Sequence, residues 1–588
     1  MCEKAVNAII FSSSEEKVSV MLFLRYKQFV EQCVDPEFRG FVSIEPPKEA
    51  SFGDFTTNIA MILSKMLRRN PMEIAEEICG KLRENDQIEK VEVKKPGFIN
   101  LFIPDRVFID HIPTILDKNF GKSDIGKGKS INVEYVSANP TGPIHAGHVR
   151  GAVSGDVLAR LLDFVGYRVT KEFYINDAGR QVEILARSLY YRYLEQLGAA
   201  ESGFPDNCYP GEYLVDTAKK IVGKIGDKFV SKSESEWLDF FKEFAMSDIM
   251  ADIKEDLGAL GVHHDVFSSE KKLIQDGAVN RILNLLKEKG LVYQGVLPRP
   301  KSGDADDWEE REQLLFKSTL FGDDSDRPLQ KSDGSWTYFA SDIAYHADKI
   351  NRGFGEMIDF WGADHGGYVK RMQAAVSALS DGKIRLDVKL VQLVRLLENG
   401  REAKMSKRAG TFVTARDIIE KVGKDVVRFI MLTRRDDVSL DFDFQKVVDQ
   451  SRDNPVFYVQ YAYARSHSVI RLFQKTFPDA DVSNIDNSYL WLLGDSDIQL
   501  AKILADWPRQ VIMAAQKHEP HRIAFFLSEI AAVFHSFWNQ GKDNALLRFV
   551  LPDNYEKTCA RIVLLKAMQN VIESAFDIIG VTPIEELR

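Results

Sequence analysis

The strongest constraint on how this chain can fold lies between residues 130 and 175. Residues 131–136 (INVEYV) are a short β-branched run, 138–143 (ANPTGP) are loop formers, and Val149, Val153, Val157, Leu158, Leu161, Leu162 and Val165 then recur at helical spacing until Gly166. Arg168–Ile175 supplies a second strand-like run. Strand, loop, helix, stop and strand make a βαβ unit. Two parallel strands need such a crossover, and the crossover is right-handed, so the unit opens a parallel sheet of the α/β class.

At 588 residues the chain is longer than one hydrophobic core usually supports, and its pattern divides in three. Residues 1–118 read as a compact α+β module: an amphipathic opening helix, a polar turn at Ser51, Gly53 and Asp54, a helical run over 55–84 and the strand-like stretch VEVKKPGFINLFI. The run 121–129 (GKSDIGKGK) has no apolar period and reads as a linker. Residues 119–448 hold the parallel sheet, with a more polar, helical insertion at about 200–250. From 449 to 588 no strand signal remains, and apolar runs at 456–473, 501–515, 521–538 and 560–579 predict an all-helical domain.

Composition narrows the function. Apolar patches near the start are interrupted by Glu15, Glu16, Lys17 and Arg25, so neither a signal-peptide core nor a membrane span is expected and the expected address is cytoplasmic. Five scattered cysteines without a CxxC pair argue against structural zinc and a disulfide framework, and predict buried or inert thiols. A formal charge of −10 confines any nucleic-acid contact to local basic patches.

Two motifs carry chemistry. Between the first strand of the βαβ unit and its helix stand Pro143, Ile144, His145, Ala146, Gly147 and His148. The glycine lets the backbone approach a polyphosphate, and the helix that follows presents unpaired N–H groups and a positive dipole end, so phosphate is the natural ligand. GxGxxG and GxxxxGK[ST] patterns are missing from this loop, which argues against a dehydrogenase or a P-loop NTPase. Far along the chain, Lys404, Met405, Ser406 and Lys407 open a cationic loop ahead of a helix at 417–421. Two lysines flanking a small hydroxyl residue can follow the β- and γ-phosphates of ATP as charge moves onto pyrophosphate.

His145–His148 resembles the His-Ile-Gly-His motif, and 404–407 the Lys-Met-Ser-Lys motif, of class I aminoacyl-tRNA synthetases. Within that class, VEYVSANPTGPIHAGHVRGAVSGDVLARLL, FYINDAGRQ (173–181), the stretch 311–349, DFWGADHGGYVKRMQAA (359–375) and 404–443 resemble the arginyl enzymes. SFGDFTTNIAMILSK (51–65) with KPGFINLFI resembles their N-terminal module, and NPVFYVQYAYARSHSVI (454–470) the start of their helical anticodon-binding domain.

The resemblance implies a Rossmann-like catalytic domain that activates L-arginine with ATP and Mg²⁺ and transfers it to the 3′-terminal adenosine of tRNA(Arg). It implies that His145, His148, Lys404 and Lys407 are catalytic, and that Pro143, Gly147, Gly362, Asp364, His365, Met405 and Ser406 bind ATP. Glu134, Asn139, Tyr338 and Asp342 would read arginine, which fits a guanidinium that offers five donors and a fixed charge. Phe55 and Asn58 would touch the tRNA elbow, and Tyr458, Tyr461, Tyr463 and Arg465 the anticodon. Activation is expected to need bound cognate tRNA, and the enzyme is expected to be a monomer.

Two departures stand out. Thr141 and Gly142 occupy a place where arginyl enzymes lacking a standard Lys-Met-Ser-Lys loop carry a lysine, and the ending IGVTPIEELR diverges from the usual one. The cysteinyl enzyme is disfavoured because its zinc-binding cysteine cluster is missing, and a nucleotidylyltransferase because those chains are far shorter. A catalytically silent RNA-binding paralogue is disfavoured by the intact motifs. GDADD (303–307) and GDDSD (322–326) lack EF-hand spacing and read as loops, with no protein metal site, and His263 with His264 as surface.

Overall fold

The computed structural model describes residues 21–200, 204–297, 311–331, 333–403, 413–451 and 453–587. Near the start, β1 (Phe55–Thr57), β2 (Lys90–Lys94) and β3 (Phe98–Phe102) form an antiparallel sheet ordered β1-β3-β2, with helices Leu22–Gln32, Ile59–Leu67 and Pro71–Leu82 packed around it. The single helical run expected over 55–84 is therefore three elements. Residues 55–57 pair with β3, and a new helix starts at Pro71, where the ring pre-sets φ and the Asn70 side chain accepts from the Met72 amide.

β4 (Ser130–Glu134), helix Ala146–Phe164, β5 (Arg168–Ile175) and β6 (Val266–Ser269) build one side of a parallel sheet. β7 (Val292–Gly295), β8 (Gln313–Phe316) and β9 (Arg327–Pro328) form a small antiparallel sheet apart from it. β10 (Glu356–Gly362) and β11 (Arg385–Val391) then complete the main sheet in the order β11-β10-β4-β5-β6, all parallel. The order runs outward from β4 in both directions, so it reverses between β4 and β10. Helix Ala146–Phe164 is buried along nearly its whole length. Gly155 lets it lie close to the sheet: a Cβ there would sit 2.3 Å from the Tyr135 ring.

β12 (Val394–Glu398), β13 (Arg401–Glu402) and β14 (Leu440–Asp443) form a third small sheet beside helices Ala415–Val422 and Lys424–Met431. This piece is fastened to helix Ala146–Phe164 by the buried Arg150, which donates to the carbonyls of Gln392, Arg434, Arg435 and Val438, and by Ser154, which donates to Asp436 (2.7 Å). The insertion is helical: Tyr213–Ile225 and Glu234–Ala259 pack on Arg180–Gln196, with Tyr190 stacked on Trp237 at 3.8 Å.

The C-terminal part consists of the helices Pro455–Thr476, Asp495–Ala505, Trp507–Lys517, His521–Asp543 and Tyr555–Ile579 with short 3₁₀ turns. The expected run over 501–515 is split at Asp506. Pro508 has no amide to continue a helix and sits in the first turn of a new one, while Trp507 is buried against Phe164 and Phe526. Cys33, Cys79, Cys208 and Cys559 are buried free thiols.

Candidate active site

In a doubly wound sheet, ligands bind in the crevice outside the carboxyl ends of the strands where the order reverses. The loop carrying Asn139 and Pro143 leaves β4 at this point, and Gly362, Asp364 and His365 leave β10 beside it. Asp364 and His365 are exposed. The loop is strained, because Val136 and Ser137 adopt left-handed backbone (φ 72° and 38°), at a cost of about 1–3 kcal/mol per residue that the surroundings must hold. Ser137 holds it by donating to Glu134 Oε1 (2.8 Å) and accepting from the Tyr174 amide (3.0 Å). Asn176 donates to Asn139 (3.0 Å), and Tyr213 of the insertion donates to the Thr141 carbonyl.

His145 caps helix Ala146–Phe164. Its Nδ1 accepts from the Gly147 amide (3.2 Å), and Nδ1 of His148 accepts from the His145 amide (3.3 Å). A nitrogen that accepts from an amide carries no proton, so both neutral rings hold theirs on Nε2. The rings stack 3.9 Å apart; burial lowers both pKa values, and in His148 burial and the His145 ring bring it to about 3. The pair is thus a neutral double donor. Both rings thus present Nε2–H groups beside the helix N-terminus.

Lys404, Met405, Ser406 and Lys407 lie outside the described residues, but the flanks of their loop do not. The Ala403 amide donates to the Leu396 carbonyl (2.9 Å), which holds one flank against β12. At the other flank the Ala146 amide donates to the Val413 carbonyl (3.3 Å), the Ala415 amide donates to the Ile144 carbonyl (2.8 Å), and His145 bridges Thr414. The end of the cationic loop is thus joined to the histidine turn by backbone hydrogen bonds.

The amino-acid candidates divide. Glu134 ends β4 between Glu172 of β5 and Asp359 of β10, and Lys349 occupies the space among them, 2.5 Å from Glu134 Oε2 and 3.0 Å from Asp359. Burial disfavours the Lys349 charge, and Asp359, Glu134 and Glu172 together outweigh it, so the ammonium stays charged. Glu134 is therefore already paired inside the protein. Tyr338 and Asp342 stand one turn apart at the start of helix Tyr338–Asn351; Tyr338 is 62% exposed, and Asp342 accepts from the Tyr368 hydroxyl (2.6 Å).

Glu270, which the sequence reading missed, completes the arrangement. It is 5% exposed, and its Oε2 has no hydrogen-bond partner among the described residues. Burial, Asp342 and Asp177 push its carboxyl up to about 7, and burial pushes Asp342 to about 6 against the Tyr368 hydrogen bond. Tyr174 and Tyr345, stacked at 4.2 Å, lie in the same surroundings. Two desolvated, mutually repelling carboxylates with unfilled acceptor capacity suit a planar cation with several donors. The one signal for Glu270 in the sequence is an acidic residue just past the short run VFSS (266–269).

Comparison with known proteins places this geometry. Residues 111–463 match the model of the class I (R) tRNA synthetase catalytic domain, 26–103 the arginyl tRNA synthetase N-terminal domain, and 459–587 the DALR anticodon binding domain. The chain is 52% identical to the arginine–tRNA ligase of Ruegeria pomeroyi over 93% of its own length and 94% of that protein's. It is 51% identical to that of Roseobacter denitrificans, over 96% and 100%. The chain belongs to the arginyl-tRNA synthetases. The Thermus thermophilus arginyl-tRNA synthetase shares its fold (TM-score 0.73, 19% identity, 96% of this chain and 100% of that one), as does the Plasmodium falciparum enzyme (TM-score 0.72, 15% identity, 96% and 99%).

Within this family assignment, the expected RNA contacts sort by burial. Phe55 is buried against Tyr26 (5.5 Å) and is core, which corrects its expected role at the RNA surface; Asn58 is half-buried at the start of helix Ile59–Leu67. Tyr463 is core too, donating to Glu573 (2.9 Å). Tyr458 packs on His535 (4.5 Å), Tyr461 stacks between Phe457 and His535, and the Arg465 guanidinium lies over Tyr461 (4.0 Å) and Trp538 (4.4 Å). His264 is not a surface residue: it lies against Tyr135 (4.3 Å), and burial lowers it to about 4. Asp323 and Asp324 of the 322–326 loop are held by Arg327.

Proposed function

We propose that this enzyme activates L-arginine with ATP, releasing pyrophosphate, and esterifies arginine onto the 3′-terminal adenosine of tRNA(Arg). The observation that carries the reading is the Asp342–Glu270 pair, a cation seat in the same molecule as a phosphate-binding turn to which the end of a Lys-Met-Ser-Lys loop is hydrogen-bonded. The guanidinium would lie between the two carboxylates, with Tyr338 at the entrance and Glu134 and Asn139 toward the α-amino end. The arginine carboxylate attacks the ATP α-phosphate, and a ribose hydroxyl of the tRNA then attacks the adenylate. No protein nucleophile is needed, so catalysis is positioning and charge placement.

The Nε2–H groups of His145 and His148 and the helix N-terminus would hold phosphate oxygens, with Pro143 and Gly147 allowing close approach. Lys404 and Lys407, with Met405 and Ser406, would follow the leaving pyrophosphate. Gly362, Asp364 and His365 would meet the nucleoside. Mg²⁺ would be carried on the triphosphate, where it would neutralise phosphate charge. Residues 1–118 would meet the tRNA elbow, and 449–588 the anticodon, for which Tyr461, Arg465 and Trp538 offer a stacking surface. We infer a monomer working in the cytoplasm; no described helix is long and apolar enough to cross a membrane.

ATP–pyrophosphate exchange with each of the twenty amino acids, with and without bulk tRNA, tests this reading. Exchange is expected with arginine and with tRNA present. Exchange driven by another amino acid, or at full rate without RNA, would overturn it.

A further inference from the structure

One guanidinium, away from the ATP site, joins four parts of the chain. Arg428 on helix Lys424–Met431 is fully buried. Its Nη2 donates to Asp156 Oδ2 (2.6 Å) on the helix that begins at the histidine turn. Its Nη1 donates to the carbonyl of Leu260 (3.2 Å), which ends the long helix of the insertion, and its Nε to the carbonyl of Ile579 (2.7 Å), the last residue of the C-terminal helix. Asp156, also fully buried, takes Arg160 (2.8 Å) and Lys171 (3.0 Å) as well. Burial opposes its charge, but Arg428, Lys171 and Arg160 outweigh that and hold it at about 2. The C-terminal helix is shaped to this group: Gly580 caps it at φ 68°, and a Cβ there would lie 2.6 Å from the guanidinium.

The two helices linked by Arg428 and Asp156 are tied to the ATP-site motifs. Ala146–Phe164 starts at His145. Ala415–Val422, which passes through Gly423 directly into Lys424–Met431, starts where the chain leaves the cationic loop. The near ends are joined by the hydrogen bond from Ala415 to Ile144, and the Arg428–Asp156 pair joins the helices again about three turns further along Ala146–Phe164. Arg150 and Ser154 fasten the same piece to this helix, but of these ties it is the Arg428–Asp156 pair that also holds the insertion and the helical domain.

We propose that Arg428 is a positioning residue that couples the seating of the helical domain's last helix to the alignment of the histidine turn with the end of the cationic loop. RNA held by that domain then acts on the ATP site through this guanidinium. The inference rests on the functional reading above.

The test uses full-length enzyme saturated with tRNA, with rates referred to titrated active sites at a temperature where circular dichroism shows every variant folded. Arg428→Lys keeps a charge opposite Asp156 and loses the fork that reaches Leu260 and Ile579. Gly580→Ala keeps the arginine and pushes it off the C-terminal helix. Each is expected to lower kcat for arginine-dependent exchange about tenfold, with KM for ATP and arginine within about twofold. The double variant is expected to lose no more than the worse single one, because both break one link. Unchanged kcat in folded Gly580→Ala overturns the coupling, even if Arg428→Lys fails to fold, and so do losses that multiply in the double variant. A wild-type enzyme without arginine-dependent exchange would overturn the functional reading instead.

Discussion

Arginine binding should be linked to a proton, and Glu270 should be its main carrier. With its carboxyl near 7 and that of Asp342 near 6, the empty pocket keeps a proton that a guanidinium must displace. Between pH 8 and pH 6 the doubly ionised fraction falls about tenfold through Glu270 and about twofold more through Asp342, so KM for arginine should rise about twentyfold on acidification while KM for ATP stays flat. Glu270→Gln should abolish most of that slope and raise KM at pH 8 by about 10–100-fold, the value of one charge-assisted hydrogen bond. The same substitution bears on stability. A carboxyl raised in the folded state favours folding below its unfolded value of about 4.5, and that advantage is lost as pH rises through 7. At pH 8 the empty Glu270→Gln variant should therefore be more stable than wild type, by up to about 3 kcal/mol. Isothermal titration of arginine in buffers of different ionisation enthalpy counts the released proton directly. Binding without proton release at pH 7, or a flat arginine KM from pH 6 to 8, would refute the reasoning.

The other predictions concern the buried cation and the histidine turn. Lys349→Met should destabilise the fold by about 3–5 kcal/mol in denaturant melts, because Glu134 and Asp359 would remain buried without their cation. His148→Ala should lower the single-turnover rate of activation about 100-fold with little change in KM for ATP. Its loss should not vary between pH 5 and 8, since the ring is neutral throughout; a titration of the wild-type rate near pH 6 that vanishes in His148→Ala would contradict the neutral-donor assignment.

Much of the architecture was legible in the chain because it rests on short-range rules. The βαβ unit at 130–175, the helical insertion and the all-helical end follow from apolar period and turn residues, which act over a few neighbours. Local rules also show where reading by period breaks: the runs over 55–84 and 501–515 keep a helical rhythm across Pro71 and Pro508, and sheet pairing or a proline restarts the element there. The candidate site was legible where a motif carries its own chemistry, as at His145 and His148.

By itself, then, the sequence determined the order of elements, the two motifs proposed to meet phosphate, and Asp342 as an acidic candidate for the proposed arginine pocket. Only the tertiary structure decided which charges meet. Glu134 is neutralised by Lys349, Glu270 is set beside Asp342, both histidines are stripped of charge by burial, and Phe55 is turned into the core. The physical reason is that ionisation and exposure depend on solvent removal and on partners brought from distant segments, and no spacing along the chain encodes either.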